Sequence, residues 1–152
     1  MRVLPAPPEF FLWLDGKFRF IEAAHEGFDQ RVSPANPARN GEIVHLYARG
    51  LGPVSPAPQP GESASSDPLY RLTHPLVCGF GGADTVDTWS PIWNRADMLF
   101  AGLAPGMMGI YQIDLRLPAT IMGNPAKLTC LTGDPATGKW LSGYITIQAA
   151  AN

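Results

Sequence analysis

Residues 110–117 alternate between apolar and polar side chains with a period of two. Tyr111, Ile113, Leu115 and Leu117 fall on one face, Gln112, Asp114 and Arg116 fall on the other, and Pro118 closes the run. A strand with one buried face requires that alternation. Residues 42–49 repeat it, with Val44, Leu46 and Ala48 opposite Ile43, His45, Tyr47 and Arg49, and Gly50-Leu51-Gly52-Pro53 ends the segment. Further runs set Leu76, Cys78 and Phe80 together in 76–80, Ala126, Leu128 and Cys130 in 126–131, and Ile145, Ile147 and Ala149 in 143–149. Shorter strand candidates lie at 10–14, 17–21 and 97–101. Turn signals separate the runs and no amphipathic helical period intervenes. The pattern therefore predicts an all-β chain of roughly seven to nine short strands in a two-sheet sandwich.

Two connections add to this picture. Gly133-Asp134-Pro135-Ala136-Thr137-Gly138 separates the last two strand candidates and reads as a hairpin loop, so those strands are expected to pair. Residues 53–75 hold six prolines and no period, and are expected to form a long surface connection inside one domain covering 1–152. No internal repeat is present.

Composition narrows the function classes. Gly and Pro number 16 each, but 45% of the chain is hydrophobic, so they punctuate strands rather than mark disorder. A net charge of −2 with no basic run gives no footprint for nucleic acid. No apolar stretch approaches the roughly 20 residues that cross a bilayer. The opening MRVLPAPPEFFLWLDG, broken by three prolines and Glu9, has no signal-peptide core. That leaves a cytoplasmic protein or one module of a longer exported chain. Cys78 and Cys130 are the only cysteines, too few for a zinc cluster, and leave either one disulfide or two buried thiols.

Several ordered blocks carry a resemblance. Asn36-Pro37-Ala38 with Gly41-Glu42 precedes an apolar strand and Gly50-Leu51-Gly52-Pro53, a Pro-rich loop leads to Phe80-Gly81-Gly82, and Ala101 to Gly106 is followed by Gly109 to Gln112. From APPEFF at 6–11 to the final strand, the chain resembles the uncharacterised immunoglobulin-like domain at the C-terminus of many large secreted proteins of Acidobacteria, especially Solibacter-type soil bacteria. The resemblance implies an immunoglobulin-like β-sandwich, an extracellular or cell-surface location within a longer exported chain, and no catalytic residues. If Cys78 and Cys130 lie on the third and sixth main strands of such an order, they are neighbours in one sheet and can form a cross-strand disulfide. The alternative is two small residues filling space where the family shows aliphatic ones. Two departures stand out: an inserted loop at 83–96 of roughly ten extra residues, and a long final hairpin loop. Both carry tryptophan.

Those tryptophans are the main binding candidates. Trp89, Trp93 and Trp140 lie in or beside loops, where an indole can stack on a sugar ring, and Asp87, Asn94 and Arg95 would supply groups for hydroxyls. Against this stands a structural role, with the rings folded back over one end of the sandwich or the open face of a sheet. Gly133 to Gly138-Lys139 misses the phosphate-loop motif because Trp140 stands where a hydroxyl residue is required and a strand follows. His25, His45 and His74 come from separate segments without the paired spacing of a metal centre. Ser65 or Ser66, Asp67 and His74 have the residue types of an acyl-transfer triad but lack a nucleophile elbow. Asp84, Asp87 and Asp97 fit no calcium-loop spacing.

The expectation is a non-catalytic accessory or interaction module of a secreted bacterial protein, with no metal and no cofactor. Its expected partner is a polysaccharide or another extracellular protein, with neither nucleic acid binding nor membrane insertion. The alternative is a carbohydrate-binding module using the loop tryptophans. A third class is a metal-dependent enzyme built on the histidines.

Overall fold

The computed structural model describes residues 7–81, 94–121, 123–133 and 138–148. Thirteen strands and no helix occur among them: β1 (Glu9–Phe10), β2 (Leu12–Asp15), β3 (Phe18–Ile21), β4 (Ala23–His25), β5 (Ile43–Arg49), β6 (Val54–Ser55), β7 (Arg71–Leu72), β8 (Leu76–Phe80), β9 (Asn94–Arg95), β10 (Asp97–Leu103), β11 (Tyr111–Arg116), β12 (Ala126–Thr132) and β13 (Lys139–Ile145). They form a seven-stranded sheet in the order β1-β5-β11-β10-β7-β6, with β4 also on β5, and a six-stranded sheet in the order β2-β3-β13-β12-β8-β9. The all-β two-sheet sandwich is therefore the architecture of this chain. Eight strands are four residues or longer. The remainder are short edge pieces, which a period-two pattern cannot register because two or three residues do not make a period.

The alternation seen in the sequence decides what each sheet buries. Val44, Leu46 and Ala48 of β5 and Ile113 and Leu115 of β11 have no exposed surface, and across from them Cys78, Phe80, Leu128, Cys130 and Ile145 are at most 2% exposed. These residues belong to one continuous core between the sheets. Fully burying a side chain of this size stabilises by about 1.5–3 kcal/mol, so the inward face of the central strands dominates folding.

Between β1 and β4 the chain leaves one sheet, makes the β2–β3 hairpin in the other, and returns. Phe11 and Glu22 mark the two crossings: the Glu22 N–H donates to the Phe11 carbonyl, and the Phe11 N–H donates to the Tyr47 carbonyl of β5. β3 then pairs parallel with β13 through Phe20 and Tyr144. The last two long strands pair antiparallel from Ala126–Ile145 to Thr132–Lys139. The final strand thus starts at Lys139 rather than 143, and Ile147 instead makes a bridge with Ala38. Ala149 lies outside the described residues.

The 53–75 connection is more structured than its composition indicates. β6 and β7 pair with each other, and Arg71 of β7 pairs with Gly102, extending the seven-stranded sheet. Ala64 and Tyr70 bury a small second cluster against Leu103. Gly102 permits this approach: a Cβ there would lie 2.0 Å from the Tyr70 carbonyl oxygen and 2.9 Å from Arg71 Cα.

Candidate functional site

The outer face of the six-stranded sheet carries a layer of aromatic rings that the sequence reading missed. β2 and β3 are apolar on both faces: Ile21 enters the core, while Trp13 and Phe20, directly opposed across the hairpin, point outward. Their rings stack with centroids 4.9 Å apart. Phe18, two residues before Phe20 and so on the same face, meets Tyr144 edge-on at 5.0 Å. These contacts leave Phe20 only 5% exposed, whereas Trp13, Phe18 and Tyr144 keep part of their surface in water. Trp140 lies four residues before Tyr144 on β13, hence on the same face, and is 49% exposed.

Cations border this layer. Lys17 places its ammonium 5.4 Å from the Phe18 ring centroid. The Arg31 guanidinium lies 5.2 Å from the centre of the Trp13 ring and is held by Glu22 at 2.7 Å. Lys127 sits opposite Tyr144 in the β12–β13 register and is exposed. Aromatic surface edged with ammonium groups can stack a planar apolar ligand face and pair with an anion on its edge.

Of the binding candidates named from the sequence, Asn94, Arg95 and Trp140 are among the described residues, and these three do not converge on one place. Trp89, Trp93 and Asp87 lie outside the described residues, as does Asp84. Asn94 and Arg95 form edge strand β9, paired with Phe80 and Gly79, rather than belonging to a free loop. The Asn94 amide donates to the Thr120 carbonyl at 2.7 Å, which ties down that edge. Trp140 is three strands away on β13, roughly 14 Å at ordinary strand spacing. Cys78 and Cys130 are brought together: they face each other in the β8–β12 register and are bonded at an S–S distance of 2.02 Å.

The histidines also separate. His74 is exposed beyond β7. His45 and His25 are on adjacent strands, but His45 pairs with Ala24 and His25 with Val44, so the two point to opposite faces. No group of three metal-ligating side chains occurs among the described residues. Ser65 accepts the Asp67 N–H at 3.0 Å, a local turn contact.

His45 lies on the polar face of its strand and is nevertheless 93% buried, at 7% exposure. Its Nδ1 is 2.7 Å from Asp114 Oδ1, which also accepts from Gln112 Nε2 at 2.9 Å. Phe28 stacks over the imidazole with centroids 3.7 Å apart. Nε2 is buried with no hydrogen-bond partner among the described residues. Burial together with the charge of Asp114 raises the pKa of the neighbouring Tyr47 above its ordinary value.

His25 borders a polar cleft of about 420 Å³ together with Glu26, Asp29, Asn36, Arg39 and Glu42. Both its ring nitrogens face acceptors, Nδ1 with Glu42 Oε1 at 2.7 Å and Nε2 with the Asn36 carbonyl at 2.9 Å. The protonated imidazolium satisfies both. Desolvation, the largest single influence, pulls its pKa down, but the hydrogen bonds to Glu42 and Asn36 and the charges of Glu42 and Asp29 outweigh it and leave the pKa raised above 6.5.

Comparison of the chain with protein-family models, with curated proteins and with solved structures finds no match in any of the three.

Proposed function

We propose that this chain is a non-catalytic interaction module of immunoglobulin-like type, carried extracellularly by a secreted bacterial protein. The observation that carries this reading is the aromatic layer on the outer face of the six-stranded sheet. A sandwich needs apolar residues only on the faces that meet, so Trp13, Phe18, Tyr144 and Trp140 on the solvent side are surplus to the fold's core and mark a recognition surface. The Cys78–Cys130 disulfide supports an oxidising compartment, since such bonds are rare in reducing cytosol. The Gly/Pro blocks from Asn36 to Pro53 and from Ala101 to Gln112 support the kinship with the secreted Acidobacteria domains.

The same face favours a second, sharper reading, a carbohydrate-binding module. Trp140, 49% exposed, offers stacking surface at low entropy cost beside the partly exposed rings of Trp13, Phe18 and Tyr144. Trp89 and Trp93 remain proposed contributors from the inserted loop. A glycan-array screen of the domain, followed by retention on the polysaccharide it selects, tests this. Binding that is lost in Trp140→Ala with the melting temperature unchanged supports the carbohydrate module. Binding to no glycan, together with capture of a defined extracellular protein, supports the protein-interaction reading instead.

A further inference from the structure

We infer that the aromatic face of the six-stranded sheet binds an acidic polysaccharide, one whose sugar rings carry carboxylates, with Lys17 and Lys127 pairing those carboxylates. This rests on the carbohydrate reading and specifies its ligand. The register fixes the layout. Trp13, Phe20, Tyr144 and Lys127 form one row across β2, β3, β13 and β12, because each is the paired residue of the next. Phe18 lies beside Tyr144, with the Lys17 ammonium over its ring. The two lysines thus flank the Phe18–Tyr144 pair.

Among the described residues neither Lys17 nor Lys127 is in an ion pair, whereas Arg31 is neutralised by Glu22. Asp15, across from Phe18, is the only carboxylate on these four strands. The face therefore pairs stacking surface with net positive charge on a molecule whose overall charge is −2, a local field opposite in sign to that of the whole chain.

That charge pattern selects the occupant. A second copy of this chain would set lysines against lysines with one aspartate to offset them, which a self-complementary interface cannot relieve. Burying unpaired lysines at the centre of a protein interface is likewise disfavoured. A single-stranded nucleic acid could stack its bases here, but two lysines on an acidic chain release few counterions. A neutral glycan would leave the ammonium groups without partners. A uronate-type chain satisfies both features: the C–H face of each ring stacks, and its carboxylate accepts from a lysine.

Affinity electrophoresis in gels containing polygalacturonate, its neutral counterpart galactan, or no polymer tests the inference, with oligo-dT as a competing probe. Retardation by polygalacturonate that weakens with added salt is expected. Lys127→Gln, an exposed change, should lower affinity about tenfold while leaving the melting temperature in place. Trp140→Ala should lower binding to any glycan the face accepts. Equal retardation by galactan that is insensitive to Lys127→Gln overturns the acidic-ligand inference and leaves the carbohydrate reading standing. Retardation by no polymer, here or on the glycan array, overturns both. Displacement by oligo-dT at equal concentration overturns the choice of a glycan.

Discussion

Removing the Cys78–Cys130 bond should cost this sandwich a large part of its stability. The bond links residues 52 apart in sequence, and in the chain-entropy description closing a loop of that length in the unfolded state contributes about 4 kcal/mol at 25 °C. Both cysteines are buried, at 1% and 0% exposure, so replacing them with alanine adds roughly 1–2 kcal/mol for the lost sulfur contacts. Domains of this size have total stabilities of about 5–15 kcal/mol. The double variant Cys78→Ala/Cys130→Ala is therefore expected near the limit of folding, whereas the reduced native chain loses only the loop term. Equilibrium urea unfolding, followed by tryptophan fluorescence with and without reductant, measures both. At slopes of about 1–3 kcal/mol per molar urea, the midpoint should fall by roughly 2 M on reduction. Thiol titration of the denatured chain should find no free thiol before reduction, in keeping with the absence of free cysteine. A loss below about 1 kcal/mol on full reduction would refute the reasoning, because the β8–β12 pairing would then hold without the cross-link.

Three other perturbations have distinct outcomes. The pKa of His25 is raised in the folded state, so the stability it contributes is fully present below about pH 6.5 and is lost as pH rises through the folded value; the urea midpoint should decline from about pH 6 to pH 8, and His25→Gln should flatten that decline. Gly102→Ala drives a Cβ into the Tyr70 backbone, whereas Gly143→Ala meets only the Ile21 and Leu12 side chains, at 2.5 and 2.9 Å. Thermal melts should therefore show the Gly102 variant less stable, by about 1–3 kcal/mol, and the Gly143 variant less affected. Asp114→Ala leaves the buried His45 without its carboxylate partner and should cost about 1–3 kcal/mol, with Asp114→Asn retaining part of that in the same melts.

Long strands were legible because burial on one face imposes a period. Val44, Leu46, Ala48, Ile113 and Leu115 alternate with polar residues and are fully buried. Composition was a poorer guide to 53–75: β6 and β7 are two residues each, and the pairing of β7 with β10 depends on Gly102, far away in sequence. The aromatic face is hard to read from sequence for a related reason. In Leu12-Trp13-Leu14 and Phe20-Ile21 apolar residues occupy both faces, which blurs alternation, although apolar content on both sides of an edge hairpin is itself a signal of a covered or binding outer surface. Proximity to loops in the sequence does not bring tryptophans together: β12 and β8 separate Trp140 from Asn94 and Arg95. Nothing in the sequence links His45 to its partner: Asp114 is 69 residues away, and only the β5–β11 register brings them together.

The proposed recognition surface is tested most directly by amide chemical-shift mapping of the isotope-labelled domain titrated with an oligogalacturonate. Shifts should cluster on β2, β3 and β13, with Trp13, Phe18, Tyr144, Trp140 and Lys127 among the most displaced. Shifts confined to the His25 cleft or to the 53–75 connection, or no shift at saturating oligosaccharide, would contradict it.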